Sequence, residues 1–418
     1  MTGAAPPRIV VTGASGALGP HVVAALRSRG ALAVVVGRSR SQLAAKFPDL
    51  PGGEWDDLSG LLVGAAAVVH LAVRNNDTPG DFDAFREVNV ELADKVARSA
   101  SAAGARMVLA STFRAFAPSP KDFYGQTKLL GEARARETGI GDLVIVRMPA
   151  VQADGFAGRL APLNALPAFL RPLALIGSLR PEISAKRAAA FLADVALAPN
   201  GRDVPEQPLL AFDDKDDNAV YRFARRALDI ACGAAILVLL AWLWAPLWLA
   251  IRLTSAGPGL FVQQRVGRFN AGFRCFKFRT MAVGTPVRAT HLVANSSVTP
   301  LGTFLRKWKL DELPQAINLL NGTMTLVGPR PCLPVQTELI AARTTLGVHR
   351  LVPGITGYAQ INDIDMSDPE RLANADFSYK ARRSLLEDLR ILLATLRGRG
   401  MADRTGVGDQ AAPPESLS

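Results

Sequence analysis

Two places in this 418-residue chain combine reactive side chains with spacing that chemistry can use. In the second half, Leu310-Asp311-Glu312-Leu313-Pro314-Gln315 sets two carboxylates side by side, just after Arg306, Lys307 and Lys309. Adjacent carboxylates can divide labour. One can attack phosphorus while the other holds Mg2+, because a hard divalent ion takes oxygen ligands and offsets the charge of a diphosphate. A charged helix N-terminus would explain the pair if it stood alone. Downstream, however, Gly328-Pro329-Arg330-Pro331 is a rigid turn that presents a guanidinium fork matched to phosphate oxygens. Upstream, Gln264-Arg265-Val266-Gly267 and Phe276-Lys277-Phe278-Arg279-Thr280-Met281 add cations in short, turn-bounded segments, and Pro353-Gly354-Ile355-Thr356-Gly357 adds another glycine-bearing turn.

The second place is near the N-terminus. Thr12-Gly13-Ala14-Ser15-Gly16-Ala17-Leu18-Gly19 follows an apolar strand pattern and opens a helical one. Glycines there permit a tight turn and let backbone N–H groups approach a pyrophosphate at the positive end of a helix. Tyr124-Gly125-Gln126-Thr127-Lys128 then places a phenol and an ammonium one helical turn apart, so the lysine can lower the phenol pKa and hold a ribose while the tyrosine works as acid or base. Thr112 stands where its hydroxyl can hydrogen-bond a reacting carbonyl.

The elements that must carry these groups fall into two kinds. Val10–Val11, Ala33–Val36, Ala67–Leu71, Met107–Leu109 and Leu143–Val146 read as buried strands, and His21–Arg29 and Phe85–Ala103 as intervening helices, the second with Phe85, Val88, Leu92 and Val96 on one face. That alternation predicts an α/β domain with a parallel sheet over residues 1–210. The acidic, turn-prone run with Asp213, Asp214, Asp216 and Asp217 predicts a linker over 211–220. Next come 22 uncharged residues, Ile230–Ile251, long enough to span a bilayer but interrupted by Pro246, where a helix should bend or break. Basic residues flank it on both sides, and Trp242, Trp244 and Trp248 suit a membrane interface. A helix over 221–252 that enters a bilayer and returns on the same face reconciles these features.

Charge and composition narrow the function. Residues 1–210 carry 23 Lys+Arg against 19 Asp+Glu, whereas residues 221–400 carry 23 against 11. Beside an apolar segment, such a surplus suits anionic lipid and phosphorylated substrates, and no basic-aromatic interleaving of the kind that binds nucleic acid accompanies it. Hydrophobic residues at 49% with 20% charged exclude a disordered or fibrous chain, and one long apolar stretch excludes a polytopic transporter. The three cysteines, Cys232, Cys275 and Cys332, have no metal spacing and read as reduced thiols. Met1 leads through two prolines into Ile9-Val10-Val11 without a signal-like segment, which places the first domain in the cytoplasm.

Residues 8–200 resemble the extended short-chain dehydrogenase/reductase family of nucleotide-sugar epimerases, dehydratases and ketoreductases. The resemblance rests on Gly13, Gly16 and Gly19, on His70-Leu71-Ala72, and on the Tyr124/Lys128 pair. It implies a Rossmann-type doubly wound parallel sheet, a bound NADP or NAD, and Tyr124, Lys128 and Thr112 as the reactive groups. Gly37-Arg38 ends the second strand without an acidic residue, and a cation there accommodates a 2′-phosphate, so Arg38 favours NADP. The twelve positions from Thr112 to Tyr124 are fewer than the family's usual loop, which leaves a catalytically silent or regulatory domain as the alternative.

Residues 221–399 resemble the bacterial sugar transferases, the monotopic polyprenyl-phosphate phosphoglycosyl transferases. This implies a small, mainly α catalytic domain over 253–400 behind a reentrant helix broken at Ala245-Pro246. It further implies Asp311 as nucleophile, Glu312 beside Mg2+, Arg330 on the nucleotide diphosphate, and Arg306, Lys277 and Arg279 as phosphate contacts. A nucleotide-diphosphate sugar, polyprenyl (undecaprenyl) phosphate and membrane lipid become the expected partners, at the cytoplasmic face of a bacterial inner membrane. After Ala359-Gln360-Ile361-Asn362 the chain reads Asp363-Ile364-Asp365-Met366 where the family commonly has Gly-Arg-Asn, so the sugar is left open. Asp376 and Asp388 take supporting roles, residues 401–418 a disordered tail, and oligomeric state, a homo-oligomer included, stays open. A membrane-tethered oxidoreductase whose second half is only an anchor or scaffold is the competing reading.

Overall fold

The computed structural model describes residues 5–152, 165, 177–199, 205–285 and 298–400; the expected tail over 401–418 lies outside them. The chain divides into two compact units, Met1–Leu173 with Pro181–Asp214, and Ala174–Arg180 with Lys215–Ser418. The acidic run is ordered by ion pairs within each unit. Asp213 accepts from Arg187 at 3.1 Å in the first, and Asp216 pairs with Arg383 at 3.0 Å and Arg268 at 3.1 Å in the second.

In the first unit, strands β1 (Arg8–Thr12), β2 (Leu32–Val36), β3 (Gly52–Gly53), β4 (Ala67–His70), β5 (Arg106–Thr112) and β6 (Leu143–Met148) join a parallel sheet. A separate short pair, β7 (Ala150–Gln152) and β8 (Glu182–Ser184), runs parallel, and β9 (Leu209–Leu210) completes the main sheet in the order β3-β2-β1-β4-β5-β6-β9. The strands are apolar on both faces because both are covered. Ile9, Val11, Val35 and Val69 join one buried cluster with helices α1 (Gly19–Arg27) and, later in the chain, Ala185–Leu197. Val10, Val34, Val36 and Val68 point the other way, into a cluster with Leu58, Leu62, Val96 and Ala97. Alternate residues of one strand therefore feed two cores, as strand geometry requires.

The next helices are α2 (Arg40–Lys46), α3 (Leu58–Leu62), α4 (Phe82–Arg86), α5 (Leu92–Ala102) and α6 (Phe123–Glu137), with Ala185–Leu197 as α7. The expected single helix over Phe85–Ala103 is interrupted by a π turn, Glu87–Glu91. The wider turn rotates the inward face, so Phe85, Asn89, Ala93, Val96 and Ala100 are buried while Val88 and Leu92 are only half so.

The second unit opens with α8 (Ala219–Leu239) and α9 (Ala241–Thr254), bent by 65°. Among the described residues no single helix is long and apolar enough to cross a membrane, but this bent pair is when taken together. The break falls at Leu240, not at the expected Ala245-Pro246; Pro246 lies inside α9. A proline ring crowds the carbonyl four residues back, which here belongs to Trp242, so its strain lands on the turn before it and the chain yields there. Trp242, Val238 and Leu239 around the bend are 69%, 74% and 68% exposed, apolar surface without protein cover.

Behind the bent pair, strands β10 (Leu260–Val266) and β11 (Gly272–Phe278) form an antiparallel hairpin. Helix α10 (Pro300–Lys307) lays Leu301 and Leu305 against Trp244, Leu247 and Ile251 of α9. A 3-10 turn, Leu310–Gln315, leads into α11 (Ala316–Asn321), and β12 (Thr325–Val327) pairs in parallel with β13 (Gly354–Thr356). Helices α12 (Thr337–Thr345), α13 (Tyr358–Ile361), α14 (Pro369–Arg382) and α15 (Leu385–Leu396) complete it. The unit is mainly helical, as the resemblance implied.

One close approach in the first unit is decisive for its glycine turn. A Cβ on Gly19 would lie 2.0 Å from the carbonyl oxygen of Ala14. Gly19→Ala is therefore expected to cost about 1–3 kcal/mol, read as a lower urea midpoint of the first unit in the detergent-solubilised full chain. An unchanged midpoint would mean α1 can slide to make room.

Candidate functional site

In the first unit the glycine turn leaves β1 through Gly13, whose φ is +69° and whose added Cβ would lie 2.6 Å from the backbone nitrogen of Ala72. Gly13 donates its N–H to the Val36 carbonyl at 3.0 Å, and Gly16 donates to Gly13 at 3.0 Å, which closes the turn. Ser15, Gly16 and Ala17 are exposed, and α1 starts without a side-chain cap. Its first N–H groups have no side-chain acceptor at the cap, and Gly13 and Gly19 leave no room for a Cβ, so the cradle fits a dinucleotide pyrophosphate. Arg38, just past β2, is exposed, and Lys46 on α2 donates to the Ser15 carbonyl at 2.8 Å.

Tyr124 and Lys128 both lie on α6, with Thr112 at the end of β5. Burial pushes the Tyr124 phenol above its ordinary pKa, opposed by a hydrogen bond with Thr112 and the nearby Arg114 charge. This differs from the expectation that Lys128 lowers it. The Lys128 ammonium is instead fully buried, donates to the Ala110 carbonyl at 2.6 Å, and is brought down to about 8 by desolvation, with Glu132 resisting. Beneath it, buried Glu132 accepts from Arg147 at 2.9 and 2.6 Å and from the Ser111 hydroxyl. His70, held by the Thr12 hydroxyl at 2.7 Å, is forced down to about 3 by burial and Lys128, and so stays neutral.

Asn89 went unremarked in the sequence. On the π turn it accepts from the Arg74 N–H at 2.9 Å and donates to the Arg74 carbonyl at 3.1 Å and the Thr127 hydroxyl at 3.0 Å, tying the segment after β4 to α6. A polar residue on the apolar stripe of a helix was the available signal.

In the second unit, Arg265, Cys275 and Lys277 from the hairpin, Glu312 and Gln315 from the 3-10 turn, and Arg330 with Pro331 line a narrow cleft, together with Met324, Gly354 and Ile355. The Lys277 ammonium lies 2.8 Å from Glu312 and the Arg330 guanidinium 3.9 Å from the same oxygen. Burial would raise the Glu312 carboxyl, but Lys277, Arg330 and Lys309 outweigh it and bring it to about 2. Arg265 donates to the Pro331 carbonyl at 3.0 Å, and burial together with Arg330 lowers its pKa. Three cations thus face one carboxylate, a surplus that an anion can neutralise.

The expected residues do not all meet there. Asp311 is 7% exposed and does not line this cleft. On a 3-10 turn, neighbouring side chains diverge by about 120°, so the two carboxylates leave on different sides. Arg306, on α10, donates to the Thr280 hydroxyl at 3.0 Å and also lies off the cleft lining. Arg279 is spent elsewhere: it caps α9 by donating to the carbonyls of Ala256 and Ser255 at 2.8 Å each. The assignment of Arg279 to phosphate is corrected accordingly, since a helix end with unsatisfied carbonyls competes for a guanidinium. Arg265, conversely, was read only as one of several cations and proves to line the cleft.

The turn that carries Arg330 is held from several sides. Gly328 donates to Thr356 at 2.8 Å and Gly354 to Pro329 at 2.9 Å, and a Cβ on Gly354 would lie 2.1 Å from the Gly328 nitrogen. From α8, Arg225 donates to the Val327 carbonyl, and Asp229 accepts from the Leu326 N–H at 2.8 Å. Tyr379 donates to Val327 at 3.2 Å and to Asp388 at 2.7 Å, and Tyr221 also donates to Asp388 at 2.8 Å. The first turns of the apolar helix pair are thereby joined to the strand that delivers Arg330.

Among the described residues no three His, Cys, Asp or Glu side chains cluster to hold a metal. Glu312 alone, with phosphate oxygens completing the shell, matches how Mg2+ binds with a nucleotide; a cage made by protein groups only does not form.

Comparison with known proteins fits both halves. Residues 220–399 match the bacterial sugar transferase family, and residues 7–165 match the RmlD substrate binding domain. The uncharacterized sugar transferase EpsL of Bacillus subtilis is 38% identical over 35% of this chain and 72% of its own length. The UDP-glucose:undecaprenyl-phosphate glucose-1-phosphate transferase of Caulobacter vibrioides is 37% identical over 41% of this chain and 68% of its own. A solved UDP-N-acetylglucosamine 4-epimerase from Bacillus cereus aligns with a TM-score of 0.37 and 22% identity over 50% of this chain and 78% of that one. The chain spans 35%, 44% and 43% of the length of three further curated relatives that it matches. The likeness to EpsL and its Caulobacter counterpart reaches across most of those proteins, and the chain belongs to the bacterial sugar transferase family.

Proposed function

We propose that the second unit moves a sugar 1-phosphate from a nucleotide-diphosphate sugar, a UDP-sugar, to undecaprenyl or a related polyprenyl phosphate. One observation carries this reading: Lys277 and Arg330 converge on the Glu312 carboxylate, Arg265 lines the same cleft, and the sequence neighbour of Glu312 is a second carboxylate. Names of relatives support the substrates, among them the UDP-glucose:undecaprenyl-phosphate glucose-1-phosphate transferase of Escherichia coli, 36% identical over 45% of this chain and 43% of its own. The bent apolar pair α8–α9 suits monotopic attachment at the cytoplasmic face of the inner membrane, where the lipid phosphate is found.

The chemistry has two displacements. An Asp311 carboxylate oxygen attacks the phosphorus bonded to the sugar; the bond to the nucleoside phosphate breaks, and the nucleoside monophosphate leaves with its electron pair. An oxygen of the polyprenyl phosphate then attacks the same phosphorus, and Asp311 departs as carboxylate. Arg330, Lys277 and Arg265 hold the diphosphate and the charge that develops on the leaving group. Glu312, with diphosphate oxygens, would hold Mg2+, which adds positive charge there. Asp311 lies buried beside the cleft, so it must be uncovered as the donor seats.

For the first unit we propose a nucleotide-sugar oxidoreductase or epimerase whose NADP or NAD is held by the glycine turn and Lys128, with Arg38 selecting NADP. The nicotinamide, when bound, supplies or accepts hydride. The raised Tyr124 pKa keeps the phenol protonated at neutral pH, which suits proton donation to a ketone oxygen and hence reduction. Such a unit would make or sense the donor that the second one consumes.

Membranes containing the full chain, given Mg2+, polyprenyl phosphate and a panel of UDP-sugars, are expected to release UMP with at least one sugar. Asp311→Asn should lower release on the order of 10³-fold or more and abolish a trapped phosphosugar adduct. Persistence of the adduct in that variant removes Asp311 from the nucleophile role, and failure of every sugar to release UMP ends the transferase reading.

The Lys128 charge gives a pH test. Its folded pKa of about 8 lies below the ordinary lysine value, so the ammonium is nearly complete at about pH 7 and is lost as pH rises through 8. NADPH affinity, measured by fluorescence titration, should fall about tenfold between pH 7 and 9.5. Lys128→Met should bind weakly and without that pH dependence; an unaltered pH profile would dissociate Lys128 from the cofactor.

A further inference from the structure

The proline on each side of Arg330 removes two backbone donors from its turn and leaves carbonyls that must find partners elsewhere, since Pro329 and Pro331 are buried. Arg265 takes one of these carbonyls, that of Pro331. The other, on Arg330 itself, accepts from Nη1 of Arg343 at 3.0 Å. Arg343 extends from α12 and is in turn gripped by Asp376 of α14, which accepts from its Nε at 2.9 Å and its Nη2 at 2.7 Å. Side-chain exposure is 8% for Arg343 and 3% for Asp376. Neither lines the cleft.

A buried ion pair is a poor source of stability, because desolvating two charges offsets most of their attraction; apolar residues of similar volume serve as well or better. What the pair does supply is direction. Asp376 uses one edge of a rigid guanidinium fork, which aims the remaining nitrogen at a single backbone oxygen. We infer that Arg343 and Asp376 are positioning residues for Arg330: they fix the backbone from which its guanidinium reaches the nucleotide diphosphate, and so set donor affinity without touching the donor. With Arg265 on the Pro331 carbonyl and Arg343 on that of Arg330 itself, the freedom left at Arg330 is that of its side chain. This rests on the transferase reading above and deepens it.

The consequence is asymmetric between the two half-reactions. Formation of the phosphosugar adduct needs the diphosphate seated; its discharge by polyprenyl phosphate does not. In the full chain reconstituted in lipid, Asp376→Asn and Arg343→Lys are expected to weaken UDP binding and raise the donor KM about tenfold or more. Discharge of a preformed adduct should stay within about twofold of wild type, the scatter expected of a site left intact. The double variant Arg343→Met/Asp376→Leu, whose apolar pair preserves packing but leaves the Arg330 carbonyl without its donor, should show the same split in a chain that still unfolds cooperatively, at a modestly lower temperature. Equal loss in both half-reactions, or wild-type donor KM and UDP affinity in the folded double variant, would overturn the assignment. UDP affinity is measured by calorimetry and needs no covalent intermediate. Absence of an adduct in the wild type would therefore refute the two-step mechanism while this test continues through UDP binding alone.

Discussion

Three cations gathered around Glu312 repel one another, and the second unit is organised to keep them together. Lys277 and Arg330 each approach the same carboxylate oxygen, and their combined field, with Lys309, is what holds that buried acid ionised. Without a carboxylate the cluster would disperse toward water; with as many carboxylates as cations, it would have no charge left for a phosphorylated ligand. A net positive cleft with one internal counter-charge is stable enough to exist empty and still attractive to a diphosphate.

Holding charge in that state needs a stiff frame, and the frame is made largely of backbone. The turn through Gly328, Pro329 and Arg330 has few donors of its own; β13 takes up its Gly328 amide and Pro329 carbonyl, while Arg225 and Asp229 from α8 and Tyr379 hold Leu326 and Val327 of the strand just before it. Helix α8 also begins the bent apolar pair. The segment that suits a bilayer surface and the strand that delivers Arg330 are therefore one hydrogen-bonded assembly, which gives a physical route by which seating at a membrane and shaping of the phosphate cleft depend on each other.

The first unit solves a related problem by different means. The glycine turn proposed to cradle a pyrophosphate is neutral: exposed residues at a helix start, closed by Gly13 and Gly19, where a Cβ has no room. Charge enters only at the margin, through Arg38, Lys46 and the buried Lys128. That lysine is destabilised by burial enough to titrate near neutrality, whereas Glu312 is held charged far below it. Desolvation acts on both; the number of opposite charges nearby decides the outcome.

Strand alternation, the glycine turn, the Tyr124/Lys128 spacing and the Asp311-Glu312 pair are local patterns, and local patterns are what a sequence states directly. From them came the parallel sheet and the helical second unit, and the residues proposed for the two sites. Where the sequence reading missed, the deciding partner was distant in the chain. Arg279 looked like Lys277 two positions away, yet the open carbonyls of Ser255 and Ala256 claimed it; Arg265 looked ordinary until the hairpin brought it to Pro331. The bend at Leu240 and the π turn at Asn89 likewise followed from strain and packing along whole helices rather than from any one residue. Residue type and spacing determined which chemistry the chain can attempt; which cations are left over for it was decided only when folding had satisfied every buried carbonyl first, because an unpaired one costs more than a surface charge returns.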